Sequence, residues 1–340
     1  MSETVDEFEF FLEKAWSDGL PVVTPTEARV QRMLAATRRD PEELLGQIPP
    51  AMGPATVRTV AIHALMAGCK PEYLPVLLGA VPLILRKEFN LNGVQGTMGP
   101  VAPLMIVNGP YAKQIGLHGG NGCFGPGFRA NASIGRAIRL MLFNLGGAMP
   151  GGASATVFAS PLRYSACLTE NTDASPWETL AMSRGYAPTD NVITCAMVEA
   201  PHVCHDDVSE EPGRLLIGVA DSMHTLGSFN LVMSNSDMVV AMSPEHAGIC
   251  ARAGMTRADV QRTLIEIAGR KLRDVRIGGQ WRRGRGEQCG YDVDNDEVFV
   301  PAIKNPNDLH LIVAGGNGPQ TAVCFGWGGG SFGVHGKYDV

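Results

Sequence analysis

"VAPLMIVNGPYAKQIGLHGGNGCFGPGFRANASIGRAIRLMLFNL", residues 101–145, reads as a strand, a glycine-rich loop and a helix in that order. The run 101–109 is apolar over the length of a buried strand, and Asn108-Gly109 is a turn signal at its end. From about Asn131 to Leu145, Ile134, Ile138, Leu142 and Leu145 recur at helical spacing on one face. A strand that reaches a helix through a turn is the unit from which α/β proteins are built.

The rest of the chain repeats that alternation. Residues 191–199, 215–221 and 308–316 read as further strands, the last running into a second glycine loop in which "GGNG" of 119–122 recurs at 315–318. From Pro54, Val57, Val60, Ala61, Ala64 and Leu65 mark a helix that Gly68 ends, and Pro71 suits the first position of the next one. Residues 243–272 read as a helix pair around Gly254, with Ser243 and Thr256 as N-caps. Near the start, residues 4–16 have a helical pattern stopped by Gly19-Leu20-Pro21, and Thr26 opens another helix. The predicted fold is α/β, a mixed sheet with helices on its faces that can divide into two lobes. Residues 1–50 form an N-terminal helical segment, and 51–340 a single intertwined α/β catalytic unit.

Apolar residues make up 45% of the 340 and charged residues only 18%, where roughly 25% charged is usual. A surface so sparse in charge suggests a homo-oligomer. The net charge of −6 argues against a nucleic-acid partner. The basic run "RRGRG" at 282–286 is followed by acidic "DVDNDE" and reads as a solvated loop. The most apolar window, 60–85, is interrupted by Lys70, Glu72 and three prolines, so no membrane span is expected. An acidic N-terminus and eight cysteines without a C-x-x-C pair point to reduced thiols in the cytoplasm.

Two cysteines stand out. Cys69 falls between a helix end and a helix start, beside Lys70, where dipole and charge both favour thiolate; the plainer reading is a small buried hydrophobe. Cys123 lies inside the first glycine loop, where backbone N–H groups and the next helix suit an anion. His118 and Glu170 are the candidate proton carriers. Asn108, Gly120, Asn121, Gly122, Arg129, Gly316 and Asn317 are the candidate substrate contacts, with tight turns as the alternative reading. No cofactor is predicted; a metal ion is the weaker alternative, on His202, Cys204 and His205 in "PHVCHDD".

Together "MAGCKPEYLPV", "FNLNGVQGT", "GNGCFGPGFRANASIGRAIRL", "ENTDASPWE", "SPEHAGICARAGMTRADV" and "LIVAGGNGP" resemble a bacterial family. Its members occur beside, or fused to, (seleno)protein domains with a Sec/Cys-Gly-Ser-Cys (UGSC-type) motif. The resemblance covers nearly the whole chain. It implies work on a small molecule with thiol or selenol chemistry nearby, and this chain lacks the UGSC motif itself. It therefore also implies a thiol/selenol partner protein. The functional expectation is an enzyme acting on a small polar or anionic metabolite through a reactive cysteine, by hydrolysis or elimination. The alternatives are a thiol-linked oxidoreductase component and a small-molecule binding protein.

Overall fold

A computed structural model describes residues 6–233, 236–278 and 281–340. The strands are β1 (Leu44–Ile48), β2 (Gly53–Thr56), β3 (Ala102–Asn108), β4 (Cys167–Leu168), β5 (Val192–Val198), β6 (His202–His205), β7 (Met238–Met242), β8 (Gly269–Lys271), β9 (Phe299–Pro301), β10 (Leu309–Val313), β11 (Gln320–Phe325) and β12 (Val334–Lys337). Two four-stranded mixed sheets dominate, in the orders β12-β5-β3-β4 and β10-β7-β11-β6. In the first, β3 runs parallel to β4 and antiparallel to β5. In the second, β7 runs parallel to β10 and antiparallel to β11.

Every residue of β3, β5, β7 and β10 is buried, which is why these segments are continuously apolar instead of alternating. The side chains nevertheless sort by strand parity. Leu104 and Ile106 of β3, Ala196 and Val198 of β5, Val239 and Ala241 of β7, Ile312 of β10 and Cys324 of β11 meet in one cluster between the sheets. The opposite parity faces helices. Met105 and Val107 pack with Val60, Leu77 and Ile138, and Val240, Leu311 and Val313 with Leu216, Val219 and Leu264. The result is four layers, helix–sheet–sheet–helix. The two sheets also meet end to end where Glu199 N–H donates to Phe325 O at 2.7 Å. The late strand β12 returns to the first sheet, so the halves are interleaved in the chain.

Three readings are corrected. Residues 215–221 lie in a helix, Pro212–Met223, not a strand. Pro212 supplies a first-turn residue, and Leu215, Leu216, Val219, Ala220 and Met223 form its buried stripe. The helix expected from Pro54 begins at Val57, because Thr56 closes a capping box with Thr59 and residues 53–56 pair as β2. The basic run 282–286 is no loop: a short helix, Arg283–Gln288, places Arg283 2.7 Å from Asp294. The pair over 243–272 forms as Pro244–Arg252 and Arg257–Ile267, capped by Ser243 and Thr256, with Gly254 at φ +82° between them.

Candidate functional site

The two glycine loops meet. Gly315 N–H donates to Gly119 O at 2.7 Å, and the chain after β4 is wedged between them. There Asn171 N–H donates to Val313 O at 2.8 Å, and its side-chain Nδ2 donates to Gly315 O at 3.0 Å. The approach is so close that a methyl group at Gly316 would collide with Asn121 Oδ1, and one at Gly119 with the carbonyls of Thr169 and Glu170. The clash at Gly119 is with backbone, so only glycine fits there; at Gly316 the exposed Asn121 side chain would have to turn away.

Beneath the junction lies a cleft of about 360 Å³, lined by Asn121, Gly122, Cys123, Gly316, Asn317 and Ser243 among others. Cys123 also borders a more apolar cavity of about 510 Å³ that includes Phe124, Leu162 and Tyr164. Its thiol is pushed above the ordinary cysteine range by burial, while the backbone N–H groups of Gly315, Cys123 and Phe124 pull the other way. At rest it is therefore a thiol in a nest of donors that would stabilise the thiolate once formed. His118 belongs to the same loop. Its Nε2 lies 3.0 Å from Asn121 O and must donate, which leaves Nδ1 as the acceptor of the neutral ring. Its ring stacks on Phe128 at 3.6 Å.

Comparison of the chain with protein-family models, with curated proteins and with solved structures finds no match. The site is therefore read from its own residues.

Several candidates lie elsewhere. Cys69 is buried, its thiol pushed up to about 12 by desolvation against the smaller pull of Ser133 and Arg129. The 3-10 turn Pro71–Tyr73 that follows leads straight into the helix Leu74–Ile84, so the expected helix start is present, but burial of the thiol outweighs its dipole. The expected thiolate is thus corrected to a neutral thiol. Arg129 does not reach the glycine loops; its Nε donates to Gly68 O at 3.0 Å and it borders a separate cavity with Cys69. Arg136 is paired with Asp18 at 2.7 Å.

Glu170 and Asn108 are tied to each other, not to the cleft. Asn108 Nδ2 donates to Glu170 Oε2 at 2.9 Å, Leu180 N–H to the same oxygen at 2.7 Å, and Arg257 Nη2 to Oε1 at 2.9 Å. The Glu170–Arg257 pair is fully enclosed, and Arg257 also donates to Leu311 O and Glu178 O. A carboxylate so fully engaged is a cross-brace between the two halves, so the acid–base role expected for Glu170 is corrected. Gly120 packs beside the His118 ring and shapes the loop. Of the weaker metal set, His202 and Cys204 share one face of β6, and His205 points to the other, 3.7 Å from Asp207. Among the described residues no group of three His, Cys, Asp or Glu side chains is gathered tightly enough to hold an ion.

A buried polar cluster escaped the sequence reading. His310 Nε2 donates to Asp237 Oδ2 at 2.7 Å, and Arg184 donates to His310 Nδ1. Burial holds His310 below the ordinary histidine range and lifts Asp308 to about 6. The signal was present: His310 interrupts the apolar run "LHLIV", and Asp237 stands immediately before "MVVAM".

Proposed function

We propose that the protein is an enzyme that binds a small polar or anionic metabolite in the cleft between the two glycine loops and attacks it with Cys123. The carrying observation is the Gly315–Gly119 clasp, which sets Cys123 beneath two loops otherwise nearly two hundred residues apart. Substrate in the cleft meets the amides of Asn121 and Asn317 and a backbone that approaches without side chains. His118 accepts the thiol proton. The thiolate, held by the three N–H groups, attacks an electrophilic carbon; the leaving group departs, and water then releases the product. Hydrolysis is the favoured reaction class.

The test is intact-protein mass spectrometry of the purified chain after incubation with pooled small polar carboxylic esters, thioesters and amides. A covalent adduct on wild type and on Cys69→Ala, absent from Cys123→Ser, supports the reading. An adduct that survives Cys123→Ser, or none across the pools, contradicts it. The raised thiol favours a second reading, a binding protein whose Cys123 merely packs; retention of a ligand without any adduct would mark it.

A further inference from the structure

The helix Glu27–Leu34, the Gly68–Pro71 junction and the start of the helix Arg129–Asn144 border a third cavity, of about 220 Å³. Arg29, Arg32, Lys70 and Arg129 line it, with no carboxylate among the lining residues. Val23, Met33 and Leu65 give it an apolar floor, with Cys69 beside them.

What sets these four cations apart is that they line one cavity together; elsewhere many arginines of the chain are matched to a carboxylate. Arg39 pairs with Glu43, Arg58 with Glu42, Arg136 with Asp18, Arg257 with Glu170 and Arg283 with Asp294. Among the described residues, none of the four makes an ion pair. Arg29 Nη1 donates to Thr24 O at 2.9 Å, and Arg129 Nε to Gly68 O at 3.0 Å. Each bond orients a guanidinium on a backbone carbonyl, and among the described residues it is that guanidinium's one hydrogen bond. Four like charges round one cavity whose lining holds no carboxylate give it a local positive potential in a chain whose net charge is −6. An anion is drawn to that potential, and oriented guanidiniums suit the two oxygens of a carboxylate.

We propose that this cavity binds a small organic carboxylate with an apolar tail, the carboxylate on the cationic rim and the tail on the Val23–Met33–Leu65 floor. The site is separate from the Cys123 cleft. A bare phosphate satisfies the rim and leaves the floor uncovered, so the two oxyanions are distinguishable.

Isothermal titration of the full chain at low salt with acetate, butyrate, hexanoate and inorganic phosphate tests this. Hexanoate is expected to bind saturably at one site, with affinity rising by about fourfold per methylene along the series. Phosphate is expected to bind more weakly than hexanoate. Arg32→Gln with Lys70→Gln should weaken hexanoate roughly tenfold; both side chains are exposed, and an unchanged melting temperature shows that the fold is kept. Binding should persist in Cys123→Ser, which separates this result from the fate of the cleft. No saturable heat with hexanoate, affinity independent of tail length, phosphate equal to hexanoate, or indifference to the double substitution overturns the proposal.

Discussion

At Gly119 any Cβ would meet the backbone carbonyls of Thr169 and Glu170. Gly119→Ala must push its loop off that backbone and strain the bond to Gly315, at a cost of about 1–3 kcal/mol. The expected outcome is a lower urea midpoint together with loss of ligand retention by the cleft; an alanine variant with both intact contradicts the clasp. Glu170 makes the complementary case. Glu170→Gln leaves the enclosed Arg257 with only the 4.0 Å, partly exposed carboxylate of Glu178, and removing the buried partner of such a pair costs up to about 3–5 kcal/mol. Equilibrium denaturation reads this directly. A variant of unchanged stability that has lost turnover would return Glu170 to an acid–base role.

The helical and strand segments were legible to different degrees, for physical reasons. Thr256 was readable as a cap because threonine three residues before Asp259 is a local signal, and a reciprocal capping box forms. Thr256→Ala is expected to lower stability by about 1 kcal/mol in urea unfolding, with the fold retained. The segment 215–221 was misread because "LLIGVA" is short and apolar, and such runs fit a buried strand or a buried helix equally. Its deciding feature, Pro212, stands outside the apolar run. The glycine loops were readable as loops, and their sequence order placed them after strands. That Arg129 turns towards Gly68 and not towards Cys123 depends on side-chain direction at the first turn of a helix, which composition does not carry.

Across the whole molecule, the α/β class was visible in the alternation of strands and helices. The stacking of two sheets was not, because strands buried on both faces show the same apolar run whether a helix or another sheet covers them. The buried Asp237–His310–Arg184 cluster likewise arises from long-range pairing. Its consequence is a pH dependence. Burial holds His63, His224, His310 and His335 below the ordinary histidine value of 6.5, His335 at about 4. The unfolded chain takes up these protons first, so the stabilisation is present above pH 6.5 and is lost as the pH falls below it. Asp308, lifted from 3.8 to about 6, acts in the opposite sense: its contribution is present below pH 3.8 and lost as the pH rises towards 6. Glu199, also raised by burial, acts in the same sense as Asp308, and the four imidazoles outweigh these two carboxylates even with the half-buried His335 discounted. The unfolding free energy from urea titration should therefore fall between pH 7 and pH 5, by on the order of 1–3 kcal/mol; a flat or rising profile contradicts the account.

The central claim is that the two loops form one cleft with Cys123 at its base. Its most direct test is the rate of iodoacetamide labelling at each cysteine of the native protein, read by peptide mass spectrometry from pH 7 to 9. Cys123 should label well ahead of the fully enclosed Cys195 and Cys324, and its rate should still be climbing at pH 9 because burial raises the thiol. Labelling of Cys123 as slow as that of Cys195 and Cys324 would contradict it.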